Sequence, residues 1–178
     1  SGSPSVTEGG NPASYTVHLA GTLQAGETAT IDLAVENIST TSADYASFVT
    51  AVNTAITGRA DLSFNAGTGT LTYTGTGSSM QDVVINLAAV NDGLVEGPEQ
   101  YTVSLSSPGS TTGASVAGGG LVTTIITDAN AATWSLSGSP SVTEGGNPAS
   151  YTVHLAGTLQ AGETATINLS LTDISTTS

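Results

Sequence analysis

The sequence repeats itself with an offset of 136 residues, and this repeat limits the possible folds more than any other feature. Residues 1–42 return as residues 137–178, and only five of these 42 paired positions differ. The sequence therefore predicts one repeat over 1–136, a junction near 129–136, and the N-terminal third of a second, near-identical repeat over 137–178. Trp134 lies in that junction, where we expect it to face inward in the next repeat's first strand or to pack at the boundary.

Within the repeat, apolar residues alternate with the period of two that indicates β-strands. Tyr15, Val17 and Leu19 share one face of the first clear run, and residues 28–36 alternate in the same way. Further alternating runs, separated by clusters of Gly, Asn, Asp and Ser, cover residues 71–73, 83–87, 101–105 and 122–127. The sequence therefore predicts an all-β fold, an antiparallel immunoglobulin-like β-sandwich.

One stretch between residues 42 and 58 departs from this alternation. Its apolar residues recur at helical spacing, at Tyr45, Phe48, Val49, Val52 and Ile56. Ser42 is expected to cap the N-terminus of this helix, and Gly58 is expected to end it. The pattern therefore predicts one short helix inserted between the strands of the sandwich.

The charge of the chain excludes several classes of function. Fourteen acidic residues stand against a single basic residue, Arg59, and give a formal net charge of −13. Nucleic-acid binding requires Lys and Arg to displace counterions from phosphates, so a nucleic-acid partner is excluded. No apolar run reaches the roughly 18 residues of a membrane span, so we expect no direct membrane insertion. The absence of cysteine excludes disulfides and thiolate metal sites.

No grouping of residues in the sequence suggests catalysis. His18 and His154 occupy equivalent positions on the polar face of a strand, where we expect both to be exposed. Gly118-Gly119-Gly120 has no following lysine, so it predicts a loop and not a phosphate-binding turn. An enzyme also gains little from tandem near-copies of itself, whereas a length-building module gains directly. We therefore expect a protein that is not an enzyme.

The acidic residues collect near the ends of the predicted strands. Glu8 follows the first short strand, Asp128 ends the last, and the segment 90–101 is the richest in carboxylates. Loops two strands apart emerge at the same end of a sandwich, so several of these acids could converge there. With Arg59 as the only base, a hard cation is the remaining way to neutralise them, and Ca²⁺ suits loop-borne oxygen ligands.

Three of these acids also have a purely structural interpretation. Asp44 could stabilise the first turn of the predicted helix through the helix dipole. Glu8 could be a solvated turn residue, and Asp128 could be the turn residue that ends its strand. The residues alone leave both interpretations open.

The same motifs resemble the Calx-beta family. They are Val-Thr-Glu-Gly at 6–9, Asp-Tyr at 44–45, the acidic run leading into the strand at 92–105, and Ile-Thr-Asp at 126–128. The resemblance covers essentially the whole 136-residue repeat. It implies a sandwich that binds Ca²⁺ at one end, with six candidate ligands: Glu8, Asp44, Asp92, Glu96, Glu99 and Asp128.

Two departures from the family pattern bear on the implied metal site. Asn91 and Gly93 flank Asp92, and Ala129 follows Asp128, where well-endowed members have consecutive aspartates. Fewer carboxylates imply one or two ions and weaker binding.

Long, near-identical, lysine-poor repeats of this kind look like the extender regions of giant bacterial surface adhesins of the RTX, type I-secreted kind, which mediate attachment and biofilm formation. The resemblance implies an extracellular, cell-surface location, Ca²⁺ that stiffens the array, and neighbouring repeats as the partners. Two alternatives stay open. The chain could be a subunit of an extracellular fibre that self-associates by strand complementation between repeats, or it could itself be a ligand-binding adhesive domain.

Overall fold

The computed structural model describes residues 1–172 and 174. It divides into two compact units: unit 1 is Ser1–Asp92 with Gly97–Ala129, and unit 2 is Gly93–Glu96 with Asn130–Ser178. The division after Ala129 falls at the start of the predicted junction. Residues 173 and 175–178 of the predicted second repeat lie outside the described residues.

Eight strands and one helix make up the described part of unit 1. In chain order they are β1 (Ser5–Thr7), β2 (Ala13–Val17), β3 (Thr28–Asn37), α1 (Phe48–Ala55), β4 (Leu62–Asn65), β5 (Thr70–Thr74) and β6 (Val83–Leu87). After β7 (Leu94–Val95), which belongs to unit 2, unit 1 continues with β8 (Glu99–Gly109) and β9 (Gly120–Thr127). The predicted all-β fold with one short inserted helix is confirmed.

Two sheets form the sandwich. One has six strands in the order β1-β9-β8-β3-β5-β4, and the other pairs β2 with β6. All of these pairings are antiparallel except that of β1 with β9, which is parallel and differs from the expected antiparallel pattern. After β1 the chain leaves the large sheet and enters the small one as β2. Strand β1 therefore has no hairpin partner next to it in sequence, and it pairs in parallel with β9.

The core lies between the two sheets and follows the predicted alternation. Both strands of the small sheet bury every second side chain, with Ala13, Tyr15 and Val17 in β2 and Val83, Ile85 and Leu87 in β6. The large sheet buries Leu33, Leu71, Tyr73, Tyr101, Val103 and Ile126 against them. Strand β4 was not predicted, because it has four residues and its alternation rests on two apolar side chains, Leu62 and Phe64.

The helix is shorter than the predicted 42–58 and begins later. It is capped by Ser47, whose side-chain oxygen accepts a hydrogen bond from the Thr50 N–H, so the prediction of Ser42 as the cap is wrong. Tyr45 instead forms a β-bridge with Ala89, which keeps the chain before Ser47 extended. Phe48 and Val52 are buried, as their spacing predicts. No helix in the described part of the chain is long and apolar enough to cross a membrane.

Unit 2 contains β10 (Thr133–Gly138), β11 (Tyr151–Ala156) and β12 (Thr158–Leu159). Strands β10 and β11 form an antiparallel pair in which half-buried Trp134 lies opposite Leu155, and β12 pairs in parallel with β7. Residues 164–172, the near-copy of β3, carry no strand.

Candidate metal site

Three of the predicted acids lie where strands of the six-stranded sheet begin or end. Strands β1 and β9 run in parallel with Thr7 opposite Thr127, so Glu8 and Asp128 leave the sheet side by side. The Glu8 N–H donates a hydrogen bond to the Thr127 carbonyl at 3.0 Å. Glu99 opens β8 opposite Ile126. The backbones of Glu8, Glu99 and Asp128 therefore lie at one end of the same three strands.

The turn after Glu8 is tied to the segment that follows β6. The Gly9 N–H donates to the Ala89 carbonyl at 3.2 Å. Gly9 has a φ of +61°, a conformation that favours glycine, and a Cβ placed on it would lie 3.2 Å from the Asn91 Cβ. This contact brings residues 89–91, which lead directly to Asp92, beside the Glu8 turn.

Asp44 reaches the same segment from another loop. The Val90 N–H donates to the Asp44 carbonyl at 2.9 Å, next to the bridge between Tyr45 and Ala89. The Asp44 carboxylate accepts a hydrogen bond from the Thr41 N–H at 2.5 Å and so closes a turn. The helix has no acidic residue in its first turn, so the helix-dipole interpretation of Asp44 is wrong.

Two carboxylates of this region, those of Glu8 and Glu99, have a buried oxygen atom. The Glu8 side chain is only 6% exposed, and Oε2 of Glu8 and Oε2 of Glu99 are both buried. A buried carboxylate is costly unless its charge is compensated. The chain's single basic residue, Arg59, donates hydrogen bonds to both carboxylate oxygens of Asp61, at 2.9 and 2.7 Å, and lowers the pKa of Asp61. The chain's only Arg or Lys side chain is therefore engaged by Asp61.

The six predicted ligands are brought together only in part. Glu8, Glu99 and Asp128 share one end of the sheet, and Asp44 contacts the loop before Asp92 through its backbone. Glu96 belongs to unit 2. Within residues 1–172 and 174, no three His, Cys, Asp or Glu side chains form a group that could hold a metal ion. Carboxylate oxygens are the ligands that Ca²⁺ prefers, and the ligand set stays a prediction.

Sequence reasoning missed a chain of buried hydroxyl groups that connects the two sheets. The Tyr15 hydroxyl lies 2.8 Å from that of Tyr101 and 2.7 Å from Oγ1 of Thr124, which donates to the Ser3 carbonyl at 2.7 Å. Burial raises the pKa of Tyr15 and of Tyr101, so both hydroxyls stay protonated well above neutral pH. The available signal was two tyrosines at inward positions of facing strands.

The histidines lie as predicted, and so do the first two glycines of the run at 118–120. His18 is exposed, and its Nδ1 lies 2.5 Å from a carboxylate oxygen of Asp82. His154 is exposed in β11. Gly118 and Gly119 belong to the loop before β9, which begins at Gly120.

The fold and its acidic strand ends define a β-sandwich repeat module with buried carboxylates at one end of the large sheet. No family model matches the sequence, and no curated protein matches it. Among solved structures it is similar to CBD12 from CALX1.2, with a TM-score of 0.43 and 18% identity over 71% of this chain and 41% of that chain.

A second similar structure is the calcium-binding domain CBD12 of CALX1.1, with a TM-score of 0.43 and 16% identity over 71% of this chain and 42% of that chain. The chain thus spans less than half the length of each solved structure. Neither match establishes a family for it.

Proposed function

We propose that the chain is a Ca²⁺-binding spacer module of a secreted bacterial surface adhesin. In this role successive repeats add length and hold a distal binding region away from the cell. The near-identity of residues 1–42 and 137–178 supports the proposal, because copies that differ at five of 42 positions suit repeated use of one structural unit.

The observation that carries the calcium part of the proposal is the burial of Glu8 and Glu99 at one end of the same sheet. Strands β1, β9 and β8 place Glu8, Asp128 and Glu99 at one sheet end, and Oε2 of both glutamates is buried there. Carboxylate oxygens of this kind are the ligands that Ca²⁺ prefers in proteins.

Glu8, Glu99 and Asp128 would hold the ion, with Asp44 and Asp92 as the further ligands of unit 1 that the family resemblance implies. Bound Ca²⁺ would supply charge neutralisation and 6–8 flexible oxygen contacts. Residues 129–136 follow Asp128 directly, so fixing Asp128 would restrain the start of the segment that leads into the next repeat.

The test is a thermal melt of the full chain with excess EDTA, with millimolar Ca²⁺, and with Mg²⁺. Extracellular Ca²⁺ modules bind at about 10⁻⁴–10⁻³ M. Free Ca²⁺ at about 100 times the dissociation constant stabilises a fold by about 2.7 kcal/mol. For a domain of this size we expect the melting temperature to rise by about 10 °C in Ca²⁺ alone.

Matched variants separate the site from general charge effects. Glu8→Gln and Glu99→Gln should each remove most of the Ca²⁺-dependent rise, because each removes a buried carboxylate charge. The control is Asp32→Asn, which also removes one negative charge and introduces the residue that the second copy carries at position 168. It should leave the Ca²⁺-dependent rise unchanged. Identical melts in EDTA and Ca²⁺ would remove calcium from the function and leave a metal-free sandwich whose acids serve solubility.

A further inference from the structure

A four-residue segment of the first repeat belongs to the compact unit that contains the second copy. Unit 1 stops at Asp92 and resumes at Gly97, and residues 93–96 between them are grouped with residues 130–178. This segment contains β7, and its partner is β12 of the second copy. The first repeat and the second copy are therefore joined by a strand pair as well as by the covalent segment 129–136.

Strands β7 and β12 pair in a defined parallel register. Thr158 lies opposite Leu94, and Leu159 lies opposite Val95. The Gln160 N–H donates a hydrogen bond to the Val95 carbonyl at 3.1 Å. Leu159 and Val95 are both half-buried. Since successive side chains of a strand point to opposite faces, the side chains of Leu159 and Val95 share one face of the pair.

The copy of β12 in the first repeat, Thr22-Leu23, has a different partner. Thr22 forms an antiparallel bridge with Ser79, and the hydroxyls of the two residues lie 3.2 Å apart. The Leu23 carbonyl accepts a hydrogen bond from the Gly77 N–H at 3.2 Å. The sequence of β12 therefore does not by itself select β7 as its partner.

The two pairings use opposite edges of the same short strand. Successive backbone groups of a strand point alternately to its two edges. The Gln160 N–H points to β7, so the backbone groups of Leu159 point away from β7. Leu23, the copy of Leu159, uses this other edge for its bond within the first repeat. Pairing with β7 therefore leaves the corresponding bond of the second copy possible.

The turn before β12 is in close contact with the segment that joins the two copies. Gly157 has a φ of +96°, a conformation that favours glycine, and a Cβ placed on it would lie 2.9 Å from the Ala131 carbonyl oxygen. Its copy Gly21 has a similar φ of +89°, but a Cβ placed there would meet no described atom within 4 Å. The close contact therefore depends on where the second copy lies and not on the turn itself.

We propose that β7 is a docking strand for the following repeat, with residues 158–160 as its partner. Main-chain hydrogen bonds supply the binding, and the packing of Leu159 beside Val95 sets the register, as in strand addition to a sheet edge. So short a pair is too weak to join separate molecules, but a short covalent link gives an effective concentration of about millimolar. The docking goes beyond the proposed function, since it needs neither calcium nor a cell surface.

The first test is disulfide trapping in the full chain, which contains no cysteine of its own. Neighbouring strands lie about 4.8 Å apart, within the Cα spacing that a disulfide can span. Leu94→Cys with Thr158→Cys should form a disulfide within one chain in a glutathione buffer that contains EDTA. The control is Leu94→Cys with Thr22→Cys, because Thr22 is the exposed copy of Thr158. We expect the effective concentration of the first pair to be at least tenfold higher.

The second test needs no cysteine and compares the amides of Gln24 and Gln160 by NMR of the full chain labelled with ¹⁵N-glutamine. Both glutamines lie between leucine and alanine, so their intrinsic exchange rates are equal. The Gln160 N–H bonds to Val95 and should exchange at least tenfold more slowly than the Gln24 N–H. Gly157→Ala should remove most of this difference, and Gly21→Ala should leave the exchange of Gln160 unchanged.

Three outcomes would overturn the docking of β12 on β7. One is a disulfide between positions 94 and 22 that forms as readily as the one between 94 and 158. Another is a disulfide between positions 94 and 158 that links separate chains at micromolar concentration. The third is equal exchange of the Gln24 and Gln160 amides in the unsubstituted chain.

Discussion

Single hydroxyl groups connect the two sheets of unit 1. Tyr15 of the small sheet meets Tyr101 and Thr124 of the large sheet within 2.8 Å, and the rings of Tyr45 and Tyr101 lie with centroids 5.0 Å apart. Tyr15 and Tyr101 are 3% and 1% exposed. Buried hydroxyls that satisfy one another in this way give the core a defined arrangement and a dependence on protonation.

The first prediction concerns alkaline pH. Burial raises the pKa of Tyr15 and of Tyr101 in the folded chain above the ordinary value of about 10. Between the unfolded and folded pKa values the folded state binds more protons, so the free energy of unfolding falls as pH rises above about 10. Each such tyrosine contributes up to about 1.4 kcal/mol per pH unit. Urea denaturation between pH 8 and 11.5 measures the slope.

The repeat supplies a matched control for that slope. Tyr15→Phe should make the fall above pH 10 shallower. Tyr151→Phe changes the sequence-identical residue of the second copy, which is 63% exposed, and should leave the slope as it is. A wild-type stability that stays level from pH 9 to 11.5 would contradict the role of these hydroxyls.

At the scale of elements, the structure that a segment's own sequence favours can be overridden by the strands with which it pairs. Ser42 and Ser47 are both acceptable helix caps, and the bridge between Tyr45 and Ala89 decides between them by keeping residues before Ser47 extended. Residues 164–172 repeat most of β3 but form no strand, whereas β3 itself pairs with β5 and β8.

Helix α1 should depend on Ser47 and not on Ser42. Ser47→Ala removes the side-chain acceptor for the Thr50 N–H and should lower the free energy of unfolding by about 1 kcal/mol. Ser42→Ala, at an exposed position outside the helix, should change it by less than about 0.5 kcal/mol. Urea denaturation of the full chain compares the two, and equal losses would contradict the assigned cap.

Hydrogen exchange should separate β3 from its near-copy. Amides of residues 28–37 pair with β5 and β8 and should exchange at least about a hundredfold more slowly than those of 164–172. The two segments differ at positions 32 and 34–37, so mass spectrometry distinguishes their peptides. Similar protection in both would mean that the second copy pairs its strand without the first copy's neighbours.

At the scale of the whole molecule, features set by residues close together in sequence could be predicted, and features set by distant residues could not. Strands such as β2 and β6 were predictable because apolar residues such as Tyr15, Val17 and Ile85 alternate with polar ones along each strand. The parallel pairing of β1 with β9 was not, since nothing near Val6 specifies a partner 120 residues away. The loop positions of the acids were therefore predictable, but which of them share a sheet end depends on that pairing.

The hydrogen-bonded pair of Arg59 and Asp61 has a consequence for proteolysis. Trypsin-like proteases cut after lysine or arginine and bind that side chain through a carboxylate in their specificity pocket. The chain has one such residue, and the Asp61 carboxylate already holds its guanidinium through two hydrogen bonds of 2.9 and 2.7 Å. The folded module therefore has a single site for enzymes of that specificity, and its guanidinium is bound by Asp61. We expect cleavage only after local unfolding of the segment between α1 and β4 separates Arg59 from Asp61.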